Sequence, residues 1–166
     1  MALSDIPRGE RVFLDAPIFL HHFLGISPEC RALLERCERS EVRGVTSALA
    51  LAELAERLMR VEAVAQGAAA PGDVARTLRE RPEVVRKLQV HEEAVARIPL
   101  MGVEVLPLDL RALLAAGSLR RQLGLGVSAS LATSAAREAG IEALATSDPA
   151  ITSGDGLRVY RPSDLA

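Results

Sequence analysis

The sequence predicts an α/β fold: a mainly parallel central sheet covered by helices on both faces. Three observations point there. Short apolar runs too brief for helices, such as Val12-Phe13-Leu14, alternate with longer amphipathic segments, the pattern of βαβ units. Of the 166 residues 49% are apolar and 25% charged, an ordinary composition for one domain with a real core. Two acids, Asp15 and Asp148, stand at the ends of apolar runs, where open parallel sheets have their ligand crevice.

Residues 11–14 (RVFL) read as the first strand, ending at Asp15. Pro17 suits the first turn of a helix over 17–24 that stops at Gly25. Ser27-Pro28 opens a helix over 28–39, with Ala32, Leu33 and Leu34 apolar. Residues 43–46 (RGVT) form the second strand. Ser47 is the N-cap of a helix from 48 to about 64, with Leu49, Ala52, Leu54, Ala55 and Leu58 expected inward. Residues 67–72 (GAAAPG) are a linker, and two helical segments follow over 73–80 and 83–97, separated by Pro82. A third strand is expected over 103–108. Helices over 109–123 and 127–139 come next, the second capped by Gly140. Strands over 142–147 and 157–160 complete one domain spanning 1–166.

Composition excludes several functions. Aromatics are 2% with no Trp, which argues against base-stacking platforms. The net charge of −2 provides no global basic field. Lys87 is the only lysine, so the basic residues are almost all Arg, which makes forked contacts with carboxylates and phosphates. GC-rich codon usage produces the same bias. Cys30 and Cys37 lack the clustered ligands a zinc site needs and read as buried thiols. His21, His22 and His91 are scattered. The amino terminus has no signal pattern and no run is long enough to span a bilayer, so a cytoplasmic protein is expected.

The candidate site is Asp15, Glu53 and Asp148. Glu53 lies on the second turn of the helix after the second strand and faces the same rim as the two strand-end acids. Carboxylates held together repel one another, and burial adds to the cost of ionising them. A divalent cation such as Mg²⁺, which takes oxygen ligands, relieves both effects and supports phosphodiester hydrolysis. Each acid also has a plainer reading. Asp at a strand end caps the following helix, Asp148-Pro149 makes a turn, and Glu53 can belong to a solvated helix face.

Four blocks in order resemble the PIN-domain family, in particular its VapC-like toxin ribonuclease branch. They are VFLDAPIFLHHFLG, GVTSALALAELAERL, VEVLPLDLRALLAAGSLRRQLGL and GIEALATSDPAI, together covering roughly residues 11–160. The resemblance implies a three-layer α/β/α sandwich and Mg²⁺- or Mn²⁺-dependent cleavage of RNA, with Asp15, Glu53 and Asp148 as catalytic and metal-holding acids. It also implies a cognate antitoxin and a homodimer, with no membrane partner. Two departures stand out. Ala16-Pro17 replaces the small polar pair that follows the family's first Asp, so a bracing hydroxyl is missing there. The helix read from GVSASLATSAAREAG has Ser128 or Ala129 where the family's third acid stands, and Glu138 comes about two turns too late. Ser128 or Ser130 is then left to hold a metal-bound water.

The resemblance implies an endoribonuclease of weakened activity. The alternative is a catalytically degenerate PIN domain that acts as a protein- or RNA-binding module. RNA contact through Arg57, Arg60, Arg120 and Arg121 is a third idea, set against ordinary pairing of these residues with acids at helical spacing. The helical segments over 73–97 are the expected place for partner contacts.

Overall fold

The computed structural model of the protein describes residues 1–154 and 156–165. β1 (Arg11–Leu14) leads into α1 (Ala16–Phe23) and α2 (Pro28–Glu38), then β2 (Arg43–Ser47) and the long α3 (Ala48–Ala65). Three short helices follow: α4 (Val74–Glu80), α5 (Pro82–Val85) and α6 (Val90–Arg97). β3 (Glu104–Leu106), α7 (Leu110–Leu123), α8 (Val127–Glu138), β4 (Ala143–Ala145) and β5 (Arg158–Tyr160) complete the order.

All strand pairs are parallel and the sheet order is β3-β2-β1-β4-β5. The chain steps outward from β1 to β3, then returns to lay β4 on the other side of β1. The switch point therefore falls between β1 and β4, where such sheets open a crevice beyond the strands' carboxyl ends. Asp15 and Asp148 follow these two strands.

Side-chain alternation divides the core into two layers. Val12 and Leu14 of β1, with Ala143 and Ala145 of β4, face a core built with α1, α2, α3 and α6, including Phe19, Leu33, Leu34, Leu54, Leu58 and Ile98. Phe13, Val45, Leu144 and Val159 face the other way, onto Ala129, Ala132 and Ala136 of α8. These small residues let α8 lie close to the sheet, and α7 packs on α8. This is the α/β/α sandwich expected from the alternation.

Helix starts follow the local chemistry. Ser27 Oγ accepts from Cys30 N at 3.0 Å, Ser47 Oγ from Ala50 N at 3.3 Å, and Asp109 Oδ1 from Ala112 N at 2.8 Å. The buried stripe of α3 runs through Ala50, Leu51, Leu54 and Leu58, whereas Ala52 is exposed. Alanine has too little apolar area to fix which face turns inward. The expected helix over 83–97 is two helices. The Glu62 carboxylate of α3 accepts the Gln89 and Val90 backbone N–H groups, and this starts α6 afresh at Val90. Strand β3 ends before Pro107, which has no N–H to continue the ladder. Ala63, Ala68 and Ala69 pack within the chain, against Val74, Val84 and Leu88.

Cys30 and Cys37 are free, buried thiols whose pKa values burial pushes up to about 11, which keeps them protonated and inert. Among the described residues no helix is long and apolar enough to cross a membrane.

Candidate functional site

Why does a buried segment carry Asp15? Its backbone N–H extends the ladder to Ala145 O at 3.0 Å, and its side chain caps α1 by accepting from Ala16 N at 2.9 Å. Pro17 follows in the first turn, where a missing N–H costs nothing. Capping accounts for one oxygen. The other accepts a 2.6 Å hydrogen bond from Thr146 Oγ1. Thr146, fully buried just past β4, also accepts from Asp148 N at 2.9 Å. One hydroxyl therefore couples Asp15 to the backbone of the second strand-end acid. The brace missing from positions 16 and 17 comes instead from the neighbouring strand.

Asp148 closes its own turn by accepting from Ala150 N at 2.9 Å, while Arg161 Nη1 donates to its carbonyl at 2.7 Å. Glu53 reaches the same place from α3, and Ser128 at the start of α8 donates its hydroxyl to Glu53 Oε1. The three acids line one cleft of about 350 Å³ together with Pro17, Arg57, Ser128, Ala129, Ser147 and Pro149. Positions 128 and 129 thus sit at the cleft wall, and an uncharged hydroxyl stands there on Glu53. Ser130 lies elsewhere: its hydroxyl donates to Val127 O at 2.7 Å and accepts from Arg120 Nη1 at 3.2 Å. Glu138, at the far end of α8, is not among the cleft residues.

The electrostatics follow from burial. Asp15 is only 6% exposed, and desolvation raises its pKa above the ordinary 3.8. The Thr146 and Ala16 hydrogen bonds pull the other way, and the Asp148 charge adds to the rise. Glu53 is raised above 4.5, first by burial and then by the Asp15 charge, while Arg57 opposes the rise. None of the three acids makes an ion pair with a described residue. His21 Nε2 lies 3.1 Å from Ser147 Oγ behind the cleft, and burial and Arg57 lower its pKa.

Do these residues fit a divalent cation? The donors are hard oxygens, burial makes Asp15 and Glu53 reluctant to ionise without a counter-charge, and none of the three acids has an ion-pair partner among the described residues. Among the described residues no three Asp, Glu, His or Cys side chains form a ready-made cage. The oxygen donor type suits a Mg²⁺-type ion, which keeps several waters and is held by one or two carboxylates. The donor chemistry fits, with water completing the coordination.

Sequence reasoning misses Thr146 as a support for the acids, and it gives Ser128 a metal-bound water to hold where the structure sets its hydroxyl on Glu53. The one signal is that Thr146-Ser147 directly precedes Asp148. His21, which the sequence leaves scattered, stands behind the cleft.

A parallel α/β/α sandwich with a carboxylate-lined cleft at its switch point defines the class. The PIN-domain profile matches residues 12–156. The chain belongs to the PIN-domain family. No curated protein matches it. Among solved structures it is similar in fold to VapC20 of Mycobacterium tuberculosis, a toxin that cleaves the sarcin-ricin loop, with a TM-score of 0.53. That match covers 87% of this chain and 92% of the other at 15% sequence identity.

Proposed function

We propose that the chain is a Mg²⁺- or Mn²⁺-dependent endoribonuclease of the VapC type, the toxin of a cytoplasmic toxin–antitoxin pair, with activity thinned by the loss of one acid. The observation that carries this reading is the set Asp15, Glu53 and Asp148 lining one cleft with no ion-pair partner among the described residues, where burial makes Asp15 and Glu53 resist ionisation. In this reading the three carboxylates hold the cation. A cation held there would supply water activation and charge neutralisation at the phosphate.

The rest falls to the chain's own groups. Thr146 keeps Asp15 and the Asp148 turn in fixed relation. Ser128 orients Glu53 by donating to it, leaving its remaining lone pairs for the cation's shell. Ser128 cannot accept a proton as a carboxylate does. Loss of a positioned acid–base group of that kind lowers a rate by about 10²–10⁴-fold. Helices α4–α6 are the proposed antitoxin contact. The exposed leucines of α7, Leu110, Leu113 and Leu114, are the proposed homodimer face.

Thermal denaturation with millimolar Mn²⁺, paired with an RNA cleavage assay, tests this reading. Mn²⁺ raises Tm and RNA is cleaved slowly, and Asp15→Asn abolishes the cleavage. A chain that shows neither a higher Tm nor cleavage is the degenerate binding module instead, the reading favoured by Ser128 and Ala129 standing where an acid is expected.

A further inference from the structure

Four arginines are candidates for meeting RNA, and the structure separates them. Arg60 is ion-paired with Glu56 one turn back on α3. Arg120 is turned to the Ser130 hydroxyl. Arg121, near the end of α7, is not among the cleft residues. Arg57 differs from all three. It follows Glu53 by one helical turn, is exposed, and lines the same cleft as the three acids. It makes no hydrogen bond or close ion pair with any described residue. All five of its N–H donors are therefore available at the mouth of an acidic cleft.

Charge counting says what such a group does there. Three ionised carboxylates and one divalent cation leave a net charge of −1 facing an incoming phosphodiester, which is itself an anion. The Arg57 guanidinium cancels that charge. Its planar fork matches two non-bridging phosphate oxygens, which a carboxylate-bound cation alone cannot satisfy.

We propose that Arg57 is the phosphate-binding residue of the cleft, gripping one RNA phosphate beside a single divalent cation held by Asp15, Glu53 and Asp148. This assignment rests on the ribonuclease reading for its substrate but is tested by binding, so the two can fail separately. Because Arg57 also repels a cation, its removal acts in opposite directions on the two ligands. RNA binding weakens while metal binding tightens, a pair of changes that a purely structural role does not produce.

The experiment compares the wild type with Arg57→Gln and Arg57→Lys. Fluorescence anisotropy follows a short single-stranded oligoribonucleotide in Mn²⁺ across a salt series, with the RNA checked by gel to be intact. Calorimetry measures Mn²⁺ affinity without RNA. Arg57→Gln is expected to weaken RNA binding about tenfold. It is expected to reduce the slope of log affinity against log salt by about 0.7, the value for one phosphate contact on a single strand. Mn²⁺ affinity rises severalfold, and Arg57→Lys restores most of the salt slope. The assignment is overturned if Arg57→Gln leaves RNA affinity and salt slope unchanged, or if the wild type binds no RNA. Wild type that binds RNA through Arg57 but cleaves nothing sinks the ribonuclease reading and supports this one.

Discussion

Asp15 is held above its ordinary pKa of 3.8 by burial, and the sign of its effect on stability follows. Between 3.8 and the raised folded value, the folded chain keeps a proton that the unfolded chain has lost. Stability from this group is full below the unfolded pKa and is lost as pH rises through the folded one. Glu53, raised above 4.5, acts in the same direction, more weakly because it is half-exposed and water screens it. Metal-free protein is therefore expected to lose stability across that interval, at most about 1.4 kcal/mol per pH unit for the one Asp15 proton. Urea denaturation in EDTA at a series of pH values, wild type against Asp15→Asn, isolates the effect: the variant lacks Asp15's share of this fall, and saturating Mn²⁺ suppresses the fall in the wild type. Identical pH slopes would mean that Asp15 is not raised. Asp15 and Asp148 were readable in the sequence because each is a charge just beyond an apolar strand, and Glu53 because it stands on the second turn of the helix that follows the second strand. Thr146 was not, because nothing local indicates that its hydroxyl meets a carboxylate 131 residues away.

Elements pack here at positions where one atom decides the fit. On β2, a Cβ added to Gly44 would lie 2.9 Å from Cys37 Sγ, 3.1 Å from Leu14 Cδ1 and 3.2 Å from Val103 Cγ2. α2 therefore rests on the bare backbone of the strand. Gly44→Ala is expected to cost about 1–3 kcal/mol by overpacking. Adding Cys37→Ala removes the nearest atom and should recover part of that loss, a non-additivity that urea denaturation of the double variant measures. Fully additive costs would place the strain elsewhere. Elements whose caps are local (α1, α2, α3 and α7) stand where the sequence puts them. The break between α5 and α6 was hidden because Glu62, which accepts the first N–H groups of α6, is 27 and 28 residues upstream of its partners.

At the scale of the whole molecule, the strand order brings the acids together. Because β4 lies beside β1 rather than beyond β3, Asp15 and Asp148 become neighbours, and α3 carries Glu53 over the same edge. Strand–helix alternation indicated a parallel sheet but not that order, which depends on contacts between distant segments. The outer face of α7 shows the other whole-molecule feature: Leu110 is 69% and Leu114 70% exposed, apolar area that a second copy would bury. Light scattering is expected to give a dimer that Leu114→Glu converts to monomer. A monomeric wild type would remove that proposal without touching the cleft. That Asp15, Glu53 and Asp148 share one cation is tested most directly by anomalous diffraction from crystals soaked in Mn²⁺. A single peak within the cleft, lost in Asp15→Asn crystals, is the predicted result, and a cleft that stays empty at millimolar Mn²⁺ would contradict it.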